Sequence, residues 1–232
     1  MRTTALLATT YFGPIQWYQK LYRYDDCEIE RMERFQKQTY RNRCVIATTN
    51  GAQALIIPIE QGSHLIKDTR LSDHGNWRHL HWNALCSAYG ESPFFEFYQD
   101  DIRPFFEKKR EFLYDFNWEI TQKMCELLEI QPQIRETETY EKITTLASET
   151  YQERMVQTSE TYEERIAVTS ETNEKITIHD FREVVRPKHP IPDAEFTPLR
   201  YYQVYERKHG FLPNLSILDL LFNMGNESLR YL

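Results

Sequence analysis

The sequence has little cysteine, little glycine and no long apolar run. Its four cysteines in 232 residues contain no C-x-x-C pair, which argues against a zinc site or a disulfide framework. Seven glycines are too few for a linker-dominated chain, and a Gly-rich phosphate loop is absent, which argues against a nucleotidyl-transfer enzyme. No stretch approaches the roughly 18 apolar residues that a transmembrane helix needs.

The first residues also lack the features of an export signal. The only apolar run there is Ala5–Ala8, which is too short for the apolar region of a signal peptide. Together with the unpaired cysteines, this predicts a cytoplasmic protein without a membrane span. The net charge is -7, and no broad basic surface is indicated, so we do not expect nucleic-acid binding.

What the sequence does have is an apolar content of 41% and an aromatic content of 14%, ample for a packed core. Alternating strand and helix patterns predict an α/β fold, with mixed α+β as the alternative. A strand at Thr3–Thr9, a helix at Pro14–Leu21 and extended chain from Cys27 form a predicted β-α-β opening. A β-hairpin follows around Asn50-Gly51, and Leu65–Leu71 alternates like another strand.

The second half is predicted to be mainly helical. Its predicted segments are a helix at about 76–89 capped by Ser72 or Asp73, one after Ser92-Pro93, one opening at Pro104, one at 117–129, extended chain at 181–187, and a C-terminal helix between Ser216 and Gly225. The caps and stops follow the usual helix signals.

Between residues 137 and 180 the sequence is an internal repeat. The four copies are TETYEKITTLA, SETYQERMVQT, SETYEERIAVT and SETNEKITIHD. An eleven-residue period equals three helical turns, but many hydroxyl and β-branched residues weaken a helix, and Ile176-Thr177-Ile178 alternates as a strand does. We predict a partly helical acidic surface insertion in a single domain formed by 1–136 and 181–232. It is either an arm that binds a protein partner or a passive duplication.

The segment DHGNWRHLHWN, residues 73–83, is the strongest site candidate. It holds three of the seven histidines, and such polar groups are costly to bury without partners. On a helix, Asn76, His79, Asn83 and Cys86 share one face, and Trp77, Leu80, Ala84 and Ala88 line an apolar neighbour. Asp73 and His74 lie at the helix entrance, where backbone N–H groups favour an anion.

These residue types suit acid–base chemistry on a polar small molecule. His74 or His79, assisted by Asp73, would move a proton, and the polar groups of Asn76, Arg78 and Asn83 would orient a substrate. Partnered histidines that brace a core helix remain an alternative. A metal site is disfavoured because side chains two residues apart on a helix point away from each other, so we predict no metal; no cofactor is indicated. A nucleophilic Cys86 is also disfavoured because nothing near it in sequence supplies a base.

A second polar cluster, KQTYRNR at residues 37–43, leads into the hairpin. Arg41 and Arg43 would alternate onto one side of an extended chain, where two guanidinium groups can bind one oxyanion. With Tyr40 they form a predicted donor-binding set. An edge strand with solvated charges is the alternative.

Several segments together resemble the WbqC-like family of bacterial proteins. They are YFGPIQWYQKL, QKQTYRNRC, NGAQALIIPIE, IKDTRLSDHGNWRHLHWNAL, SPFFEFY and GFLPNLSILDLLFN. The resemblance covers roughly residues 5–130 and 180–232, and the four repeat copies depart from the single short connection of the sequences it resembles.

The resemblance implies a function in surface-polysaccharide synthesis. The family takes its name from a gene of O-antigen synthesis, which implies a cytoplasmic transferase-type step on an activated or amino sugar, with a nucleotide-linked sugar as a candidate substrate. A noncatalytic binding or scaffold protein of the envelope-synthesis machinery is the alternative.

Overall fold

The computed structural model describes residues 2–62, 64–140, 163–168, 175–188 and 190–232. It confirms the β-α-β opening: strand β1 (Arg2–Ala8) leads through helix α1 (Ile15–Arg23) to strand β2 (Asp26–Glu30), which pairs parallel to β1. Every residue of α1 from Ile15 to Leu21 is buried, because the helix lies between the sheet and the rest of the core.

The main sheet has five strands in the order β5-β2-β1-β7-β6. Its other strands are β5 (Ile134–Glu136), β6 (Glu163–Val168) and β7 (Lys175–Asp180). β7 pairs parallel to β1, and β6 pairs antiparallel to β7. β6 and β7 come from the third and fourth copies of the repeat, so the Ile176-Thr177-Ile178 alternation lies in a strand beside the centre of the sheet. The repeat residues 141–162 and 169–174 lie outside the described residues.

A separate hairpin contains strands β3 (Arg43–Thr48) and β4 (Gly51–Ile56). The hairpin is confirmed, but its turn lies one residue earlier than predicted. The register pairs Thr48 with Gly51, so Thr49 and Asn50 are the turn residues. Gly51 has φ of 98°, a conformation that costs glycine little because it has no Cβ.

The remaining helices pack around these sheets. They are α2 (Trp77–Tyr89), α3 (Phe95–Ile102), α4 (Pro104–Glu107), α5 (Leu113–Leu127), α6 (Glu206–His209) and α7 (Ile217–Met224). α5 begins four residues earlier than predicted. The strand predicted at Leu65–Leu71 is wrong: a 3₁₀ turn at Ile66–Asp68 interrupts it, leaving only single bridges at Leu65, Arg70 and Leu71.

The chain between residues 181 and 187 turns rather than continuing as the predicted extended segment. Phe181 is fully buried, and the N–H groups of Val184 and Val185 both donate to its carbonyl at 3.2 and 3.0 Å. The buried Phe181 thus holds the turn that follows β7.

The C-terminal helix closes the opening unit. Ser216 caps α7 as predicted, its hydroxyl accepting from the N–H of Leu218. The same hydroxyl donates to the Phe12 carbonyl at 2.8 Å. The first N–H groups of α1 are bound as well: Ile15 donates to the Leu215 carbonyl at 3.0 Å, and Gln16 donates to the Asn214 side chain at 3.0 Å.

Asp219, fully buried on α7, is a titratable group inside the core. It accepts hydrogen bonds from the hydroxyls of Tyr89 and Tyr201 at 2.9 and 2.6 Å and from the Gln203 amide at 3.2 Å. Burial raises the pKa of its carboxyl from 3.8 to about 6, although these three donors oppose the rise. Its charge therefore costs stability at neutral pH.

We expect Asp219 to make the protein more stable in mild acid. Below pH 3.8 the carboxyl is protonated in both states; as the pH rises through about 6, the unfolded state gains more from ionisation. The free energy of unfolding should fall by about 3 kcal/mol across this window. The difference in free energy of unfolding between wild type and Asp219→Asn, measured by denaturant unfolding at about pH 4 and about pH 7, should change by most of that amount.

Glu227→Gln is the matched control, because Glu227 lies on the surface in an exposed ion pair with Arg230. Its difference from wild type in free energy of unfolding should be the same at both pH values. If wild type and Asp219→Asn differ in free energy of unfolding by the same amount at both pH values, the Asp219 carboxyl does not titrate differently in the folded and unfolded states in this range.

Candidate functional site

The entrance to α2 is shaped by two residues with left-handed backbone. Gly75 has φ of 73° and Asn76 has φ of 46°, and glycine and asparagine are the residues that adopt this conformation most readily. Both lie within the 3₁₀ turn at His74–Asn76, and their left-handed backbone kinks the chain just before α2 begins at Trp77. The predicted cap is wrong: among the described residues no side chain caps α2, and the Ser72 carbonyl instead accepts from the Trp77 indole at 2.9 Å.

The predicted polar face of α2 is present. His79 and Asn83 are exposed, and their side-chain nitrogens Nε2 and Nδ2 lie 2.9 Å apart, so the Asn83 amide donates to an unprotonated Nε2. The predicted apolar face is partly wrong, because Leu80 is 59% exposed and the helix turns His81 inward instead.

His81 is a structural histidine. It is buried, and its Nδ1 lies 3.0 Å from the Tyr11 hydroxyl, with the Trp77 ring centroid 5.2 Å away. Burial lowers the pKa of His81 to about 4, opposed by a hydrogen bond to the backbone of Ile56. The neutral ring therefore braces α2 against the β1–α1 connection, as one of the sequence alternatives held.

A cleft of about 410 Å³ opens beside α2. Four predicted site residues line it: Asp73, Asn76, Arg78 and His79. Five further residues complete the lining: Trp82, Arg103, Phe106, Glu107 and Lys109. Of the other predicted residues, Asn83 reaches the cleft only through His79, and His74 is exposed on the turn beside it.

Positive charge is concentrated in this cleft. The Asp73 carboxylate accepts from Arg78 at 2.5 Å and from Lys109 at 2.6 Å, and these two donors lower the pKa of Asp73. Arg103 donates to Glu107 at 2.6 Å. Three cations against two carboxylates leave a net positive charge, which favours an anionic ligand.

Two aromatic rings form the apolar wall. The centroids of Trp82 and Phe106 lie 5.7 Å apart, and Trp82 is half-buried, so part of its face is open to the cleft. Apolar ring faces beside convergent polar groups are typical of small-molecule sites.

The sequence did not identify Arg103, Phe106, Glu107 and Lys109 as site residues. They lie in or beside α4, and α4 packs against α2. Pro104 did predict the start of that helix, but no local pattern predicts which of its faces meets α2.

The predicted donor-binding residues lie elsewhere. The expected extended chain is wrong at Arg41, since Tyr40–Asn42 form a 3₁₀ turn and Arg43 begins β3. Arg41 is 2% exposed and binds Glu33 with two hydrogen bonds of 2.7 and 2.5 Å. A buried guanidinium needs such a partner. Tyr40 is buried too, which raises its pKa to about 12.

The position where α/β sheets commonly bind ligands is filled by the chain itself. That position is the crevice at the carboxyl ends of the strands, where the strand order reverses, here between β1 and β7. The N–H groups of α1 are bound by Asn214 and Leu215 there. Glu30 at the end of β2 accepts from Arg182 at 2.9 Å and from Thr137 at 2.8 Å.

The described residues contain neither a candidate membrane span nor a candidate metal cluster. No helix among them has the length and apolar character to cross a membrane. Within the same ranges, no group of three or more histidine, cysteine or acidic side chains is arranged to hold a metal ion.

Comparisons with known proteins agree with the segments quoted above. A profile of the WbqC-like protein family matches residues 9–231. "Uncharacterized protein Rv1507c" from Mycobacterium tuberculosis (strain ATCC 25618 / H37Rv) is 26% identical over 229 residues, covering 96% of this chain and 91% of that protein. No solved structure matches the chain. The match to the family profile spans all the residues that line the cleft.

Proposed function

Because the chain belongs to the WbqC-like protein family, we propose that it is a transferase-type enzyme acting on an activated or amino sugar in surface-polysaccharide synthesis. The proposed activity is cytoplasmic, since four free cysteines fit a reducing compartment. The substrate is a small anionic molecule, such as a nucleotide-linked sugar, bound in the cleft beside α2.

The observation that carries the proposal is the meeting of cations, an imidazole and aromatic rings in one cleft. Arg78, Arg103 and Lys109 supply donors for a phosphate group. The rings of Trp82 and Phe106 supply a face for a sugar. The volume of about 410 Å³ lies within the range of about 300–1,000 Å³ usual for small-molecule sites.

His79 is the proposed proton-transfer group. It supplies the imidazole that lines the cleft, the side chain most often used for general acid–base catalysis, and Asn83 orients its ring through the Nε2 contact. Asp73 positions Arg78 and Lys109, and Asn76 lines the cleft beside them. Proton transfer by His74, on the neighbouring turn, is the second assignment within this proposal.

Tyr40, Arg41 and Arg43 have no place in the proposed binding set. The buried Arg41 guanidinium donates two hydrogen bonds to Glu33, and none of the three residues lines the cleft. The alternative of a scaffold role through the repeat arm falls largely on residues 141–162 and 169–174, which lie outside the described residues.

The proposal predicts ligand-induced stabilisation. Among nucleotide-linked sugars with and without an amino group, one should raise the melting temperature by about 5 to 10 °C at a hundred times its dissociation constant. Lys109→Gln should weaken that binding about tenfold or more, because a charged donor to phosphate is lost. Isothermal titration calorimetry measures both affinities.

Lys108→Gln is the matched control. Lys108 is exposed and adjacent in sequence but does not line the cleft, so its affinity should equal that of wild type. Equal losses in both variants would indicate general charge attraction, and no stabilisation by any sugar ligand would overturn the proposal.

A further inference from the structure

The Asp73 carboxylate bridges two cations from different parts of the chain. Its Oδ1 accepts from Arg78 on α2 at 2.5 Å, and its Oδ2 accepts from Lys109, two residues after α4, at 2.6 Å. The carboxylate and both cations line the cleft beside α2. Asp73 therefore links α2 to the segment that follows α4, with one donor on each of its oxygens.

Arg78 is the fixed member of this group. Its side chain is 13% exposed, and its guanidinium carbon lies 4.6 Å from the ring centroid of Trp77, which is itself buried. A guanidinium stacked on a buried ring keeps its orientation, and its planar donors bind carboxylate and phosphate oxygens alike. Arg78 therefore presents the same donors to either anion.

The Asp73 carboxylate is held less firmly than Arg78. Its side chain is 55% exposed, and the anchors of the chain lie on either side of it. The Ser72 N–H donates to the Pro58 carbonyl at 2.9 Å, and the Trp77 indole donates to the Ser72 carbonyl at 2.9 Å. Rotation of the Asp73 side chain moves its carboxylate into water without breaking these anchors, and exposed ion pairs contribute little to stability.

The carboxylate is also charged. Hydrogen bonds from Lys109 and Arg78 lower the pKa of Asp73 from its ordinary value, so the group is ionised at neutral pH. An ionised carboxylate repels a phosphate that approaches the same two cations. A phosphate can therefore bind both cations only when the carboxylate leaves them.

We propose that Asp73 and the phosphate group of the ligand compete for Arg78 and Lys109, so that ligand binding turns the carboxylate out of the cleft. This inference rests on the proposed binding of an anionic ligand in this cleft. The exchange favours a ligand with two or more negative charges over a monocarboxylate, because it replaces one charge between the cations by several. Asp73 thereby selects for a phosphate-bearing ligand.

Glu107, the other carboxylate that lines the cleft, is placed differently. It pairs with Arg103 at 2.6 Å, four residues earlier in the chain, and both side chains are more than half exposed. Such a pair lies along one helical segment and contributes little. Glu107→Gln should therefore change the affinity for an anion less than Asp73→Asn does.

Calorimetric titration of the full chain with inorganic pyrophosphate tests the competition. Asp73→Asn should bind pyrophosphate about tenfold more tightly than wild type, because a neutral amide neither repels the anion nor holds the cations with an ionic bond. Asp73→Glu keeps the charge and should bind no more tightly than wild type. Melting temperatures should stay near wild type in both variants, because the side chain is exposed.

Glu111→Gln is the matched control. Glu111 lies two residues from Lys109, is 60% exposed in an ion pair with Arg70, and does not line the cleft. Its loss removes the same charge from the same neighbourhood, so its affinity for pyrophosphate should stay near that of wild type. Equal gains in Glu111→Gln and Asp73→Asn would indicate general charge attraction and overturn the competition.

A crystal structure of the pyrophosphate complex tests the displacement directly. The anion should lie between Arg78 and Lys109, with the Asp73 carboxylate turned towards solvent. An Asp73 still bonded to both cations overturns the inference, as does equal or weaker binding by Asp73→Asn, or no binding by either protein. Because pyrophosphate carries no sugar, tighter binding by Asp73→Asn supports the inference even when no sugar ligand binds, and the proposed function then fails alone.

Discussion

Arg41→Ala should lower the free energy of unfolding by about 3–5 kcal/mol, since it leaves the Glu33 carboxylate buried without its partner. Domains have a total stability of about 5–15 kcal/mol, so the loss is a large share of the whole. Burial already raises the pKa of Glu33 even with Arg41 beside it, which shows how unfavourable that charge is alone. Urea unfolding at neutral pH measures the effect.

Two comparisons make the Arg41 result specific. Arg200→Ala removes an arginine that is 75% exposed and paired with Glu206, and it should cost less than about 1 kcal/mol. The double variant Arg41→Met with Glu33→Leu should recover much of the loss, because buried ion pairs can be replaced by apolar groups. Unchanged stability with lost ligand affinity would contradict the geometry and restore the predicted donor-binding role.

His79→Ala should reduce kcat by about a hundredfold or more, the usual contribution of general acid–base catalysis. Its melting temperature should stay within about 2 °C of wild type because the side chain is exposed and makes one hydrogen bond. The assay uses the sugar ligand that stabilises the protein, and free imidazole should restore part of the turnover.

His209→Ala is the control for this variant, because His209 is a partly exposed histidine on α6, outside the cleft. Equal turnover in His79→Ala and wild type would contradict proton transfer by His79, and His74 would then be tested in the same way. A fall in melting temperature without specific loss of turnover would make the segment structural.

Local patterns predicted those parts of the fold in which local physics dominates. The β-α-β opening, the hairpin and the Ser216 cap of α7 are confirmed, because strand alternation, turn residues and capping hydroxyls act within a few residues. Family membership was also found, from segments spread along the chain. The resemblance to the WbqC-like family is confirmed by a match over residues 9–231.

Features set by tertiary contacts were not predictable. Arg41 was predicted to be an accessible ligand for an oxyanion. Its actual partner, Glu33, lies eight residues earlier, and no local sequence pattern shows that the two side chains are buried together. The cleft likewise depends on how α4 packs on α2, so its Arg103 and Lys109 were missed while Asp73, Asn76, Arg78 and His79 were found. The roles of these cleft residues stay predictions.

The contact between the start of α1 and the segment 214–217 governs the timing of folding during synthesis. The N–H groups of Ile15 and Gln16 find their acceptors in Leu215 and Asn214, about 200 positions later in the chain. β1 likewise needs β7 as its second neighbour. A nascent chain on the ribosome therefore cannot form these contacts of its first β-α-β unit until residues 175–215 have been synthesised, and contacts of such separation fold slowly.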